Sequence, residues 1–138
     1  MIASGLLHSA YLYGQFGDKD SGATSTRRQY VKEKVGNAAE ALIYTYTSEK
    51  GSNPLTSDNR DFLILSLADL YDELLDLGSV YAPTKAIQEL SDESDTAAVV
   101  RTASMAVNPE VGLQFESAIR RAKQESVPDC LTLSLIHI

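Results

Sequence analysis

Apolar residues recur at helical spacing through most of the chain, and no segment alternates convincingly with the period of two that marks a half-buried strand. Positions 2–13 are apolar on nearly all sides, which predicts a helix buried in a core rather than lying on a surface. A polar, glycine-bearing loop follows at 14–24. Ser25 or Thr26 is suited to cap a short helix that carries Val31 and Val35 on one face and ends at Gly36. Asn37 begins another helix, and Glu40, three residues on, makes a capping-box-like pair with it. That helix bears Leu42, Ile43, Tyr44 and Tyr46 before the loop 48–57, where Gly51 and Pro54 forbid continuation.

The strongest signal covers 58–77, where Leu63, Leu67, Leu70, Leu74 and Leu77 recur at three and four residues and Gly78 supplies the stop. A short helix is expected after Pro83, then an acidic linker at 91–95 and a helix over 96–107. Asn108-Pro109 reads as an N-cap followed by proline at the first helical position, opening a last helix that runs to about Glu125 and stops before Pro128. The expected class is all-α, without internal repeats.

Composition narrows the partners more than the fold. The chain has 138 residues, enough for one domain that buries roughly two-thirds of its unfolded surface. Its formal net charge of −7 argues against nucleic acid and anionic membranes, whose binding rests on Lys and Arg contacts to phosphate. A small molecule or a protein is the expected partner. Cys130 is the only cysteine, so neither a disulfide framework nor a thiol metal site can form. No apolar run approaches the roughly 20 residues that span a bilayer, and residues 1–5 lack the basic region of a signal peptide. The expected location is the cytoplasm.

The last six residues, Leu133-Ser134-Leu135-Ile136-His137-Ile138, are what CTG-TCT-CTT-ATA-CAC-ATC encodes. That string is the transposon-end adapter of common sequencing libraries. The segment is therefore read as translated adapter and set aside from structural argument, with a genuine apolar C-terminal strand as the alternative. The expectation is a gene fragment with one helical domain over 1–127 and a disordered tail over 128–138.

Candidate chemistry centres on His8. One helical turn away lie Ser4, Gly5, Tyr11 and Leu12, so the ring can be a core histidine bonded to a hydroxyl or carbonyl, or part of a ligand pocket with Ser9 and Tyr11. Asp69 sits opposite the leucine stripe near Asp72, Glu73 and Asp76, as a solvated acidic face would. Phe62 and Leu65 share its side, however, and cover there would bury the carboxylate and demand a partner. Arg27 and Arg28, near a helix start, are candidates to hold a phosphate or carboxylate, with a solvated basic face as the alternative. The loop Asp18-Lys19-Asp20-Ser21-Gly22 fails as a calcium loop, because its glycine comes one position early and the closing acid is absent. No Gly-x-Ser-x-Gly elbow, phosphate-binding Gly-x-x-x-x-Gly-Lys loop or His-Glu-x-x-His occurs. A Ser-His-Asp triad built on His8 is compatible with the chain order but has no motif behind it.

Leu6-Leu7-His8-Ser9 and the distant Leu67-Ala68-Asp69-Leu70 together resemble the His-Asp and distal Asp elements of the HD phosphohydrolase superfamily. Serine stands where the aspartate would be, and a neutral hydroxyl is a poor ligand for a divalent cation. The wider pattern resembles a narrower group of uncharacterised HD-like domains, with Leu-Leu-His-Ser-x-Tyr, a loop, an arginine-led helix and Val-Gly-x-x-Ala-Glu-x-Leu. The last stands here as Val35-Gly36-Asn37-Ala38-Ala39-Glu40-Ala41-Leu42.

The resemblance implies an HD-like helical bundle truncated at its N-terminus, with a degenerate metal site, serving as a small-ligand or protein-binding module. It offers His8 and Asp69 as two ligands of an incomplete site for Mn, Fe, Zn or Ni. A metal-dependent phosphohydrolase with further ligands upstream of Met1 is the enzymatic alternative, and a purely structural helical domain the third.

Overall fold

A computed structural model of the chain describes residues 2–49, 54–75, 90 and 92–124. All regular structure among them is helical, and the fold class is all-α. Beyond 75, the expected stop at Gly78, the helix after Pro83, the stop before Pro128 and the tail 128–138 lie outside the described residues.

The first predicted helix is two. α1 (Ile2–Leu7) and α2 (Ala10–Tyr13) are separated at His8-Ser9. His8 Nδ1 donates to the Gly5 carbonyl at 2.7 Å, a local side-chain bond that competes with helical continuation. The ladder restarts at the Ser9 carbonyl, which accepts from the Leu12 and Tyr13 N–H groups. The expectation of burial on all sides is corrected: Leu6 is 80% and Tyr13 75% exposed, while Tyr11 is buried. A single turn of helix can turn only one large side chain into a core, and here that is Tyr11.

α3 (Ser25–Val35) is capped one residue earlier than expected, by Thr24, whose hydroxyl accepts from the Arg27 N–H. Gly36 has φ +85°, a conformation that favours glycine, and it joins α3 to α4 (Asn37–Ser48). Gly36, not Asn37, is therefore the N-cap, which moves Glu40 from the third helical position to the fourth. The capping-box expectation fails for that reason, and the Glu40 side chain turns inward instead. After a 3₁₀ turn at Pro54–Thr56, α5 (Arg60–Leu75) begins behind Asn59, whose side chain accepts from the Phe62 N–H at 3.1 Å. Leu67 and Leu74 of the leucine stripe are buried, and so are Phe62 and Leu65 on the other side.

The acidic linker expected at 91–95 is largely helix. Asp92 caps α6 (Glu93–Ala106) by accepting from the Ser94 N–H at 2.9 Å, and Glu93 and Asp95 favour the positive end of the helix dipole. α7 (Pro109–Gln124) starts where the proline places it, with the Asn108 side chain accepting from Val111 N–H.

The chain forms two compact units, Met1–Asp69 and Leu70–Ile138. In the first, α1, α2 and α3 each pack on α4. Its core joins Tyr11, Val31 and Ile43, flanked by Ala10, Phe16, Ala23, Val35 and Tyr44. In the second, α6 and α7 pair through small residues: Ala103, Ala106, Gly112 and Ala118 are buried beside Phe115 and Ile119. The Tyr71 ring tilts against Phe115 with centroids 5.0 Å apart. Among the described residues no helix is long and apolar enough to cross a membrane.

Candidate functional site

The candidate residues gather in the first unit, but in three separate polar clusters. The first joins the two sequence-distant candidates. His8, between α1 and α2, places Nε2 3.0 Å from Asp69 Oδ1 on α5. The other Asp69 oxygen accepts from the Tyr46 hydroxyl of α4, and the His8 ring meets the Tyr46 ring edge-on at 4.9 Å. Tyr46 in turn lies 6.2 Å from the buried Phe62 ring. The His8 and Asp69 side chains keep about a quarter of their surface exposed, at 24% and 27%.

A carbonyl only accepts, so the bond to Gly5 requires the hydrogen on His8 Nδ1. The second nitrogen faces Asp69. Neither is left to take a proton from a hydroxyl, so His8 is not the base of a Ser-His-Asp triad with Ser9. The Ser9 carbonyl serves α2, and its hydroxyl makes no helix-capping bond.

The second cluster surrounds Glu40, which is fully buried. The Tyr11 hydroxyl donates to Oε1 at 2.9 Å, Arg28 Nε donates to the same oxygen at 2.6 Å, and Arg28 Nη2 donates to Oε2 at 3.2 Å. Lys32 Nζ stands 3.8 Å from Oε2. The Arg28 guanidinium also covers the Tyr44 ring, 3.6 Å from its centroid. Burial pushes the Glu40 carboxyl up, but Arg28, the Tyr11 hydroxyl and the Lys32 charge outweigh it and hold the group below the usual carboxylate range. Burial, then the bond to Glu40, drives the Tyr11 phenol well above the usual phenol range.

The third cluster is built on buried Arg27. It pairs with Asp18, donates from Nη1 to the Gly22 carbonyl at 3.1 Å and from Nη2 to the Asp20 carbonyl, and lies over Phe16 at 4.9 Å. The side-chain bond from Arg27 holds the Asp18 carboxyl below its ordinary range. The segment Asp18–Gly22, which lacks the pattern of a calcium loop, is thus closed by an internal cation, Arg27.

His8 and Asp69 therefore share one site, Tyr11 and Arg28 share another, and Arg27 belongs to a third. The sequence pattern assigns neither Tyr46 nor Glu40 to a site, and it offers Glu40 as a cap rather than a core carboxylate. A signal for Glu40 was present: it stands three and four residues before Ile43 and Tyr44, on the face that enters the core. For Tyr46 no local pattern points to Asp69, since the bond spans 23 positions.

The donor set does not fit the divalent metal that the HD resemblance implies. Catalytic zinc takes three protein ligands and structural zinc four, whereas this cluster supplies one imidazole and one carboxylate already bonded to each other. Among the described residues no group of three His, Cys, Asp or Glu side chains converges.

Comparison with known families agrees with an uncharacterised helical domain. The family model of a domain of unknown function (DUF6817) matches residues 1–50, the segment that carries His8, Tyr11, Arg28 and Glu40. No curated protein and no solved structure matches the chain.

Proposed function

We propose that the chain is an HD-like helical binding module in which the position of a catalytic metal has become a structural latch. The observation that carries this reading is the direct His8–Asp69 contact at 3.0 Å. The remaining ring nitrogen is satisfied by the Gly5 carbonyl, and the remaining carboxylate oxygen by Tyr46. A cation entering here would have to break the contact and, among the described residues, would gain only two strong ligands. The latch ties the α1–α2 segment to α5 within the first unit and leaves the module to act by binding a small ligand or a protein.

The test is thermal unfolding of the full chain with and without Mn²⁺, Fe²⁺, Zn²⁺ or Ni²⁺, on the parent, His8→Ala, Asp69→Ala and the double variant. The latch predicts no cation-specific rise in midpoint. It also predicts that the double variant loses less than the two single losses together, by roughly 0.5–1.5 kcal/mol, the range for a partly buried hydrogen-bonded pair. A ligand that binds only the native state raises the midpoint. A rise with one cation, abolished in both single variants, would overturn the latch and favour a metal-dependent phosphohydrolase. Simple additivity would separate His8 from Asp69 in function.

A further inference from the structure

The Glu40 cluster is not electrically balanced. One carboxylate faces two cations, Arg28 and Lys32, set one turn apart on α3. Glu40 is buried, whereas the Arg28 and Lys32 side chains are 29% and 35% exposed. One positive charge is left over at the surface of a chain whose net charge is −7.

Arg28 is also fixed in an unusual degree for a surface arginine. Nε and Nη2 are spent on Glu40, and the face of the guanidinium rests on Tyr44. Nη1 has no partner among the described residues, so one edge of a planar donor group is held ready with its side-chain entropy already spent. Lys32 Nζ is near Glu40 but beyond hydrogen-bond distance of it, at 3.8 Å. Arg28 Nη2 and Lys32 Nζ stand 3.2 and 3.8 Å from the same Glu40 oxygen, Oε2, so two cationic donors flank one side of the buried carboxylate.

We propose that Arg28 and Lys32 form a binding site for a small oxyanion, a phosphate or carboxylate group of a ligand, with Glu40 and Tyr44 as positioning residues. The proposal rests on the module reading above and names the chemistry of what the module binds. It does not use Arg27, whose guanidinium is buried and committed to loop 14–24.

The full chain should be titrated at constant ionic strength with inorganic phosphate, with acetate and with chloride, following the Arg28 Nε–H and the Tyr44 ring by NMR. Saturable shifts at both residues with phosphate or acetate, absent with chloride, are expected, and the anion that gives them identifies the preferred group. Lys32→Gln should weaken binding about tenfold or more, the equivalent of one charge-assisted hydrogen bond. Lys32→Arg should keep most of it, and Lys34→Gln on the same helix should leave it unchanged. No shift in the parent, or equal weakening by Lys32→Gln and Lys34→Gln, would overturn the site. Circular dichroism of each variant confirms that it is folded, and Lys32→Arg keeps the test decisive if Lys32→Gln is not. Because the latch is read through metal cations and this site through anions, either can fail alone.

Discussion

At the scale of single residues, Glu40 is the most demanding group among the described residues, a carboxylate removed from water that would cost several kcal/mol if left alone. Tyr11, Arg28 and Lys32 offset that cost, and they make stability depend on pH from both sides. The Glu40 carboxyl is held below its ordinary range, so its contribution is complete above that range and is lost as pH falls through the lowered value. The Tyr11 phenol is held above its ordinary range, so its contribution is complete below the ordinary phenol value and fades as pH rises toward the raised one. Tyr11→Phe removes a hydrogen bond to a charged acceptor and should cost about 1.5–3 kcal/mol at neutral pH. Urea unfolding across the alkaline range should then show a shallower decline than in the parent. An unchanged alkaline decline would mean that other tyrosines govern it.

At the scale of elements, the α6–α7 hairpin depends on one residue without a side chain. A Cβ built on Gly112 would lie 1.8 Å from Ser104 Oγ and 2.9 Å from the Val100 carbonyl oxygen, closer than such atoms approach. Ser104 is held there by donating to that same carbonyl at 2.8 Å. Glycine to alanine on an open helix face gains roughly 0.5–1 kcal/mol. Gly112→Ala should instead lose about 1–3 kcal/mol, as overpacking does, and adding Ser104→Ala should restore only part because the carbonyl is backbone. A gain in urea-unfolding stability would refute the close approach of the two helices. Gly112 carries no sequence mark of this role, since a mid-helix glycine reads simply as a weak point. The helices themselves were legible wherever a cap and a periodic apolar face coincide: Asn108-Pro109 marks α7, and the leucines mark α5. Charged residues misled in two ways, one local and one remote. Asp92 to Asp95 look like a solvated linker and form a cap and first turn, while Glu40 looks like a cap and serves the core. The meeting of His8 with Asp69 was suggested by resemblance and by Phe62 and Leu65 flanking the aspartate. The division of Arg27 from Arg28 had no local signal, because adjacent positions on a helix point about 100° apart and only the fold shows where each direction leads.

At the scale of the whole molecule, the boundary between the two units falls at Asp69–Leu70, inside α5 and directly after the residue that receives the latch. Each unit has its own buried aromatic and aliphatic centre, Tyr11 with Val31 and Ile43 in one and Phe115 with Val99 and Ile119 in the other. Units of this kind open with separate free energies when their cores are distinct. Truncating a buried phenylalanine to alanine costs about 3–5 kcal/mol. Phe115→Ala should therefore lower hydrogen-exchange protection of the α6 and α7 amides by that full amount and lower α3 and α4 far less. Ile43→Ala should do the reverse, loosening α3 and α4 first. The proposed anion site lies wholly on α3 and α4, so the Phe115→Ala protein should still answer to phosphate or acetate while its second unit is weakened. Equal loss of protection in all helices would make the chain one cooperative body, and loss of the anion response with it would show that the site depends on the whole fold rather than on the unit that carries it.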